Sequence, residues 1–480
     1  MPTISENAII DPHSTPSGTQ NIDPFIVFAT GETSTYTAGN LIIQNVYKTV
    51  DGEDKTFSLH LRMNSGTLNV NGDLNKIGGN CDGNVVIGVN TTAGSQATVK
   101  IANDINLGSI DDVRYTTANY LSFGGNGSSD FVGYGGIKSL TVGGNINIYG
   151  NKVLVMNVGT TGGTVESPDV VIGGVVELTR YNSSGADMGS PTWFTNSRGY
   201  SAYSKDSSQT MEENMKVSQE LNTVISLGGL KGDKGLVCTR TSILVDGVQY
   251  WGKGNTTLVF TNKAGTECFY GGTFRDRNDM SDGGTSQMSV IMNGEGTQFL
   301  AMDGNSYITG DITVNSGTLL LRTSTGSATT GNLYLNGGKV SGNGNLSESY
   351  SRRGNFAFTN VYWGNGTLQV DIDASEVEVL NIFGELIAVT DLLNVEFTEE
   401  SWDSIVDGKQ YTFISFRNGN SGEITADMFA SNAAEFGKIA DFSVTNSGVS
   451  VSFAAIPEPA HCALLSALFI LALVAFMRRR

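Results

Sequence analysis

The run MNSGTLNVNGDL, residues 63–74, and its echo VNSGTLLLRTST, residues 314–325, decide how this chain is read. In both, Asn-Ser-Gly-Thr-Leu leads into apolar residues that alternate with others, the period-two signature of a β-strand with one buried face. A unit this short cannot bury its apolar face alone. Recurrence at irregular spacing points instead to a solenoid, in which each rung lays its inward Leu, Val and Ile against the next. A β-sandwich would leave the echo to chance.

The same texture extends outward in both directions, through TFSLHLRM (56–63), NVVIGV (84–89), ATVKIANDINL (97–107) and SLTVGGNINIYG (139–150). It continues in KVLVMNV (152–158), DVVIGGVVELTRY (169–181), TTLVFTN (256–262), NLYLNGGKVSG (332–342) and GTLQVDID (366–373). Gly, Asn, Asp or Ser bounds each run, as strand-to-turn boundaries require. Glycine supplies 61 of the 480 residues, about double its usual share. Between Pro24 and Pro457 there are only Pro168 and Pro191, which suits long hydrogen-bonded ladders that cannot spare an N–H.

One stretch departs from this pattern. SSQTMEENMKVSQELNTVISL (207–227) sets Met211, Met215, Leu221, Val224 and Ile225 at near-helical spacing behind a Thr210/Glu213 capping box, which predicts a helical insertion. Beyond residue 370 charge rises and the strands lengthen, in DIDASEVEVLNIFGELIAVTDLLNVEF (371–397), GKQYTFISF (408–416) and FSVTNSGVSVSF (442–453), with ADMFASNAAEFGK (426–438) as a candidate short helix. Such a terminal module fits the need of a solenoid to cover its last apolar rung. The expected organisation is therefore a disordered or mis-called start over 1–24, a repeat body over 25–370 and a capping β module over 371–453. A tail follows over 454–480. The front, MPTISENAIIDPHSTPSGTQ, has neither the basic nor the apolar region of a secretory signal peptide.

Charge and rare residues narrow the chemistry. A formal net charge of -18 with no dense basic cluster before Arg478 argues against a nucleic-acid partner. Cys81, Cys238, Cys268 and Cys462 show no CxxC spacing, so neither a zinc ribbon nor a disulfide framework is indicated. Cys238 and Cys268 are read either as neighbours on adjacent rungs or as separate buried thiols. Of three histidines, His13 lies in the front, His461 in the tail, and His60 alternates within a strand, where it reads as a surface residue rather than a base. No Ser/His/Asp or Cys/His constellation and no zinc site assembles from these positions.

Two resemblances add to this reading. WGKGNTTLVFTNKAGTECFYGGTF (251–274), with NSGTLLL (315–321) and GGKVSGNGNL (337–346), resembles the autotransporter-associated β-strand repeats of bacterial surface proteins, with Thr256-Thr257-Leu258 where Gly-Thr-Leu is usual. This resemblance implies a right-handed parallel β-helix passenger and does not itself imply a catalytic site. The tail resembles the PEP-CTERM sorting signal of Gram-negative bacteria. Pro457, Glu458 and Pro459 match its recognised motif, the run from Ala460 through Leu464, Leu468 and Leu471 to Met477 its membrane helix, and Arg478, Arg479 and Arg480 its basic anchor. The resemblance implies an exosortase-type sorting enzyme and the inner membrane as partners, with extracellular polysaccharide as a further candidate partner.

Elementary physics agrees on the tail: its 18-residue run, Ala460 to Met477, rises about 27 Å as a helix, close to a bilayer core of about 30 Å. The arginines place the C-terminus inside. The expected fold class is thus mainly β: a right-handed parallel β-helix (solenoid) with a helical insertion, a C-terminal β cap and one C-terminal transmembrane helix.

The expected function is an exported, non-catalytic scaffold or adhesin at the cell surface or in the extracellular matrix, with no cofactor. Two rivals stay open. A β-helix lyase or glycosidase would use RDRNDMSDGG (275–284), whose Arg275, Asp276, Asp279 and Asp282 suit a Ca²⁺ ion or an acid/base pair. As a bland reading, that run, like DGED (51–54) and DID (371–373), is a solvated surface turn. A carbohydrate-binding surface would need Trp193, Trp251 and Trp363 on one face.

Overall fold

A computed structural model describes residues 6–11, 25–28, 35–44, 46–50, 53–56, 58–63, 66–77, 83–89, 97–110, 119–124, 137–156, 158, 163–195, 222–239, 242–245, 248–251, 255–276, 286–302, 308–323, 331–342, 356–372, 377, 379–419 and 423–456. These residues are mainly β, and most of their strands pair in parallel with strands of the preceding and following units.

The opening stretch lies in the first ladder. Thr67–Val70 sits between Thr35–Ala38 and Thr98–Ile101, and the ladder runs on through Ser139–Val142, the first part of Val170–Thr179, and Thr223–Lys231. It continues through Thr256–Phe260, Met288–Met292, Ile312–Val314, Leu333–Leu335 and Val361–Trp363 to Leu386–Ala388. In parallel register every inward side chain stacks on its counterpart, so one column reads Leu68, Val99, Leu140, Val170, Ile225, Leu258, Val290, Ile312, Leu333, Val361 and Leu386. All eleven are buried. Each such burial stabilises the fold by about 1.5–3 kcal/mol relative to exposure.

A short corner leads from each first-ladder strand to the second ladder, which begins with Ala8–Ile10, Leu41–Gln44, Leu74–Ile77, Ile105–Leu107 and Ile146–Tyr149. A Gly232–Tyr270 bridge joins this ladder to Glu267–Tyr270, and the strands Thr297–Met302, Thr318–Thr323, Lys339–Ser341, Thr367–Val370, Leu393–Phe397 and Phe429–Ser431 follow. A third ladder stacks Phe25–Phe28, Ser58–Met63, Asn84–Val89, Tyr120–Phe123, Val153–Met156, Thr192–Phe194, Leu236–Cys238 and Thr273–Arg275. A separate sheet starts in parallel with Phe356–Phe358, Leu380–Ile382 and Gln410–Phe416, then turns antiparallel with Gly448–Ala455 and Lys438–Thr445.

The corners carry amide and carboxylate ladders that the hydrophobic pattern alone does not reveal. The side-chain oxygens of Asn7, Asn40, Asp73, Asp104 and Asn145 each accept the backbone N–H of the next rung, over separations of 33, 33, 31, 41 and 30 residues. Later rungs are shorter: Asn315 donates to Asn293 across 22 residues and Asn336 to Asn315 across 21. These polar chains run along the half-buried to exposed edge of the corners, where each group finds a partner one rung away.

Where the prediction placed a helix, residues 207–221 lie outside the described residues, and Thr223–Lys231 is a strand instead. Val224 and Ile225 alternate in that strand, and Ile225 is fixed between Val170 and Leu258. Ladder pairing outweighs the weak helical period. ADMFASNAAEFGK forms two 3-10 turns, Ala426–Met428 and Ala433–Phe436, around the short strand Phe429–Ser431. Among the described residues the α-helix is Glu399–Ser404, and no helix is long and apolar enough to cross a membrane. The tail over 457–480 lies outside the described residues.

Candidate functional site

A polar seam lies where the third ladder hands the chain back to the first. The third-ladder strands end at Thr195, Thr239 and Asp276, and the first-ladder strands that follow are approached through Thr256, Ser286 and Thr309. All six are buried. Thr195 and Thr256 share a hydroxyl hydrogen bond of 3.0 Å. Ser286 Oγ donates to Thr239 Oγ1 at 2.9 Å, and that hydroxyl donates to the Ser286 carbonyl at 2.8 Å.

Asp276 is the acidic member of this seam. Its Oδ2 accepts from Met288 N at 2.7 Å, Thr309 N at 2.6 Å and Thr309 Oγ1 at 3.1 Å. The solvated-turn reading is therefore corrected at Asp276. Alternation after Phe274 turns its side chain inward, where it holds the starts of two successive rungs. Arg275, next to it, is exposed. Asp279 and Asp282 lie outside the described residues. Asp276 thus lies at a structural corner, with its Oδ2 committed to two backbone N–H groups and one hydroxyl.

The other singled-out residues sort by the same parity rule. Asp371 is likewise buried rather than on the surface: its Oδ1 accepts from Thr398 Oγ1 at 2.8 Å and Ser401 Oγ at 3.2 Å, which ties the short helix to the end of Thr367–Val370. Of DGED, the backbone of Glu53 and Asp54 lies in an antiparallel hairpin, Tyr47–Val50 with Glu53–Thr56. Trp193 is fully buried between Leu154 and Val237 in the third ladder, and Trp363 is fully buried beside Leu335 in the first. Trp363 Nε1 donates to the Gly366 carbonyl at 2.9 Å. Trp193 and Trp363 therefore fill core columns on different ladders, which removes the shared tryptophan face. The backbone of Trp251 pairs with Ser242 in a two-stranded hairpin.

His60 is also corrected, from surface to buried. It faces away from the Leu59 and Leu61 side of its strand, yet its register neighbour Val86 and the next residue of that column, Ser122, are buried too. Both faces of this ladder are covered there, which strand alternation cannot foretell. Cys238 and Cys268 are both buried and neither is in a disulfide; burial pushes the Cys268 thiol up. His13, His461, Cys81, Cys462, Pro457, Glu458, Pro459 and the rest of the tail lie outside the described residues.

The sequence reading missed Lys76. It sits on an inward column between Ile43 and Leu107 and is almost wholly buried. The signal was its place in LNKI, where Leu74 starts the inward parity. Among the described residues no group of three His, Cys, Asp or Glu side chains could hold a metal ion. Comparison with protein-family models, with curated proteins and with solved structures finds no match to this chain.

Proposed function

We propose that the chain is a non-catalytic surface scaffold or adhesin of the bacterial envelope or matrix. Its body is a right-handed parallel β-helix, and its tail is a PEP-CTERM signal handled by an exosortase-type enzyme at the inner membrane. The observation that carries the scaffold reading is the unbroken inward column from Leu68 to Leu386, flanked by side-chain ladders that return from rung to rung. Such one-dimensional stacking gives length and a repetitive lateral surface, the properties a stalk or matrix element needs.

The polysaccharide-enzyme reading needs a carboxylate pair open to a sugar, and Asp276 is occupied by Met288 and Thr309. That leaves Asp279 and Asp282 to carry it. The deciding experiment is incubation of the purified chain with a panel of acidic and neutral glycans, followed by assay for reducing or unsaturated ends. The scaffold reading expects no turnover. Turnover abolished by Asp279→Asn would overturn it.

The tail is tested separately, by mass spectrometry of the C-terminus of protein recovered from native cells. A mature end near Glu458 or Pro459 supports a processed signal. A chain still ending at Arg480 supports a permanent anchor.

A further inference from the structure

Four of the eleven large apolar side chains exposed among the described residues crowd around the point where the chain leaves the body: Val406 at 56% exposure, Phe436 at 38%, Ile439 at 51% and Ile456 at 44%. Lone exposed apolar residues need no explanation, but a cluster does. Three contacts join these segments. The Ile456 N–H donates to the Gly437 carbonyl at 2.9 Å, Lys438 Nζ pairs with Asp407 at 2.6 Å, and Phe436 stacks on Trp402 at 4.6 Å between ring centroids. The antiparallel register sets Ile439 beside Ala454, on the face that also carries Ile456.

The rest of that outer face is polar. Thr412 and Ser450 share a hydroxyl hydrogen bond of 2.8 Å, and Gln410 reaches Ser443. The apolar end of the sheet is thus confined to the exit. From Ile456, three residues, Pro457, Glu458 and Pro459, lead to the apolar run Ala460 to Met477. Even fully extended, that link spans only about 13 Å.

We infer that the Val406, Phe436, Ile439 and Ile456 patch is a lipid-contact surface, by which the end of the body rests in the interfacial zone of the bilayer while the tail is inserted. This rests on the membrane reading of the tail. The contact is apolar rather than electrostatic: Lys438 is paired with Asp407, Lys409 lies over the Tyr411 ring, and the other nearby exposed charges, Asp403, Glu435 and Asp441, are acidic. The fitting partner is therefore a zwitterionic surface, with little dependence on salt.

The test uses the full chain reconstituted into phosphatidylcholine vesicles with brominated acyl chains, reading tryptophan emission alongside flotation. Trp402 lies beneath Phe436, whereas Trp193 and Trp363 are fully buried in the ladders. The expected result is bromine quenching that disappears in Trp402→Phe. It should fall at least twofold in an Ile439→Glu/Ile456→Glu double variant that still floats, and stay unchanged in Ile9→Glu at the other end and in high salt. A chain that floats without quenching of Trp402, or with quenching that the double variant leaves intact, would overturn the patch while keeping the tail. A chain that does not float would remove the tail reading and the patch with it.

Discussion

The side-chain amide of Gln298 pairs with both backbone groups of Leu230: its Oε1 accepts the Leu230 N–H at 3.0 Å and its Nε2 donates to the Leu230 carbonyl at 3.0 Å. This substitutes for a strand. On one side Leu230 has Val176, but Thr256–Phe260 covers only Thr223 to Leu227 on the other, and pairing resumes at the Gly232–Tyr270 bridge. Gln298 supplies the missing peptide from the interior. Replacing it with leucine keeps the volume and strands two buried backbone groups, so Gln298→Leu should cost about 3 kcal/mol. Urea titration checks the loss, and amide exchange at Leu230 should lose its protection ahead of neighbouring rungs.

A second relationship sits at the bend of the long strand Val170–Thr179. Gly173 and Gly174 follow Gly143 and Gly144 one rung earlier and precede Gly228 one rung later. A Cβ on Gly173 would run into the carbonyl oxygen of Gly143, which is backbone and cannot yield without breaking the ladder. Gly173→Ala should therefore destabilise by about 2–3 kcal/mol. Gly185 also needs glycine, for its φ of 81°, yet its surroundings are open, so Gly185→Ala should cost only about 1 kcal/mol. Equal losses in matched denaturation curves would show that close backbone approach is not what the glycine column provides.

How much of this was legible depends on which physical rule each residue obeys. Leu68, Val99 and Leu258 follow period two, so their strands and their inward sense were readable. Val224 and Ile225 were misread because a five-residue apolar pattern fits either period, and only the neighbouring rungs choose between them. Asp276 and Asp371 defeated the rule that carboxylates in Gly- or Asp-rich runs face water, since their burial depends on donors 12, 27 and 33 residues away. Trp193 and Trp363 looked like sugar-stacking candidates until register placed each in a core column. His60 needed knowledge of what covers the outside of a ladder, which no local pattern contains.

Asp276 itself yields a sharp mutational contrast. Asp276→Ala leaves Met288 N, Thr309 N and Thr309 Oγ1 without their acceptor, and should destabilise by about 2–4 kcal/mol. Thr309→Val removes only the hydroxyl contact and should cost about 1 kcal/mol. Because the residues are in contact, their effects should not add: the double variant should lose less than the sum of the two single losses. Strict additivity in a double-mutant cycle would show that Asp276 does not hold the two rungs together as described.

Among the described residues, the hairpin between the second and third ladders carries the clearest acid response. Arg180 Nε and Nη2 grip the two oxygens of Asp187 at 2.9 and 2.6 Å, and Gly189 N donates to the same carboxylate at 2.8 Å. The Arg180 hydrogen bonds first, then that of Gly189, lower the Asp187 carboxyl from the usual 3.8 to about 2. A folded-state value below the unfolded one means stability that is fully present above the unfolded pKa and lost as pH falls through the folded one. The contribution should therefore be constant above about pH 4 and fade as pH drops toward about 2. Asp187 is exposed, so the effect is modest and weakens with salt. Thermal melts of the parent and Asp187→Asn from pH 6 to pH 2 should show a gap in Tm that holds above about pH 4 and closes below it. A gap that persists undiminished at the acid end would mean that the Arg180 pair does not hold the Asp187 proton off.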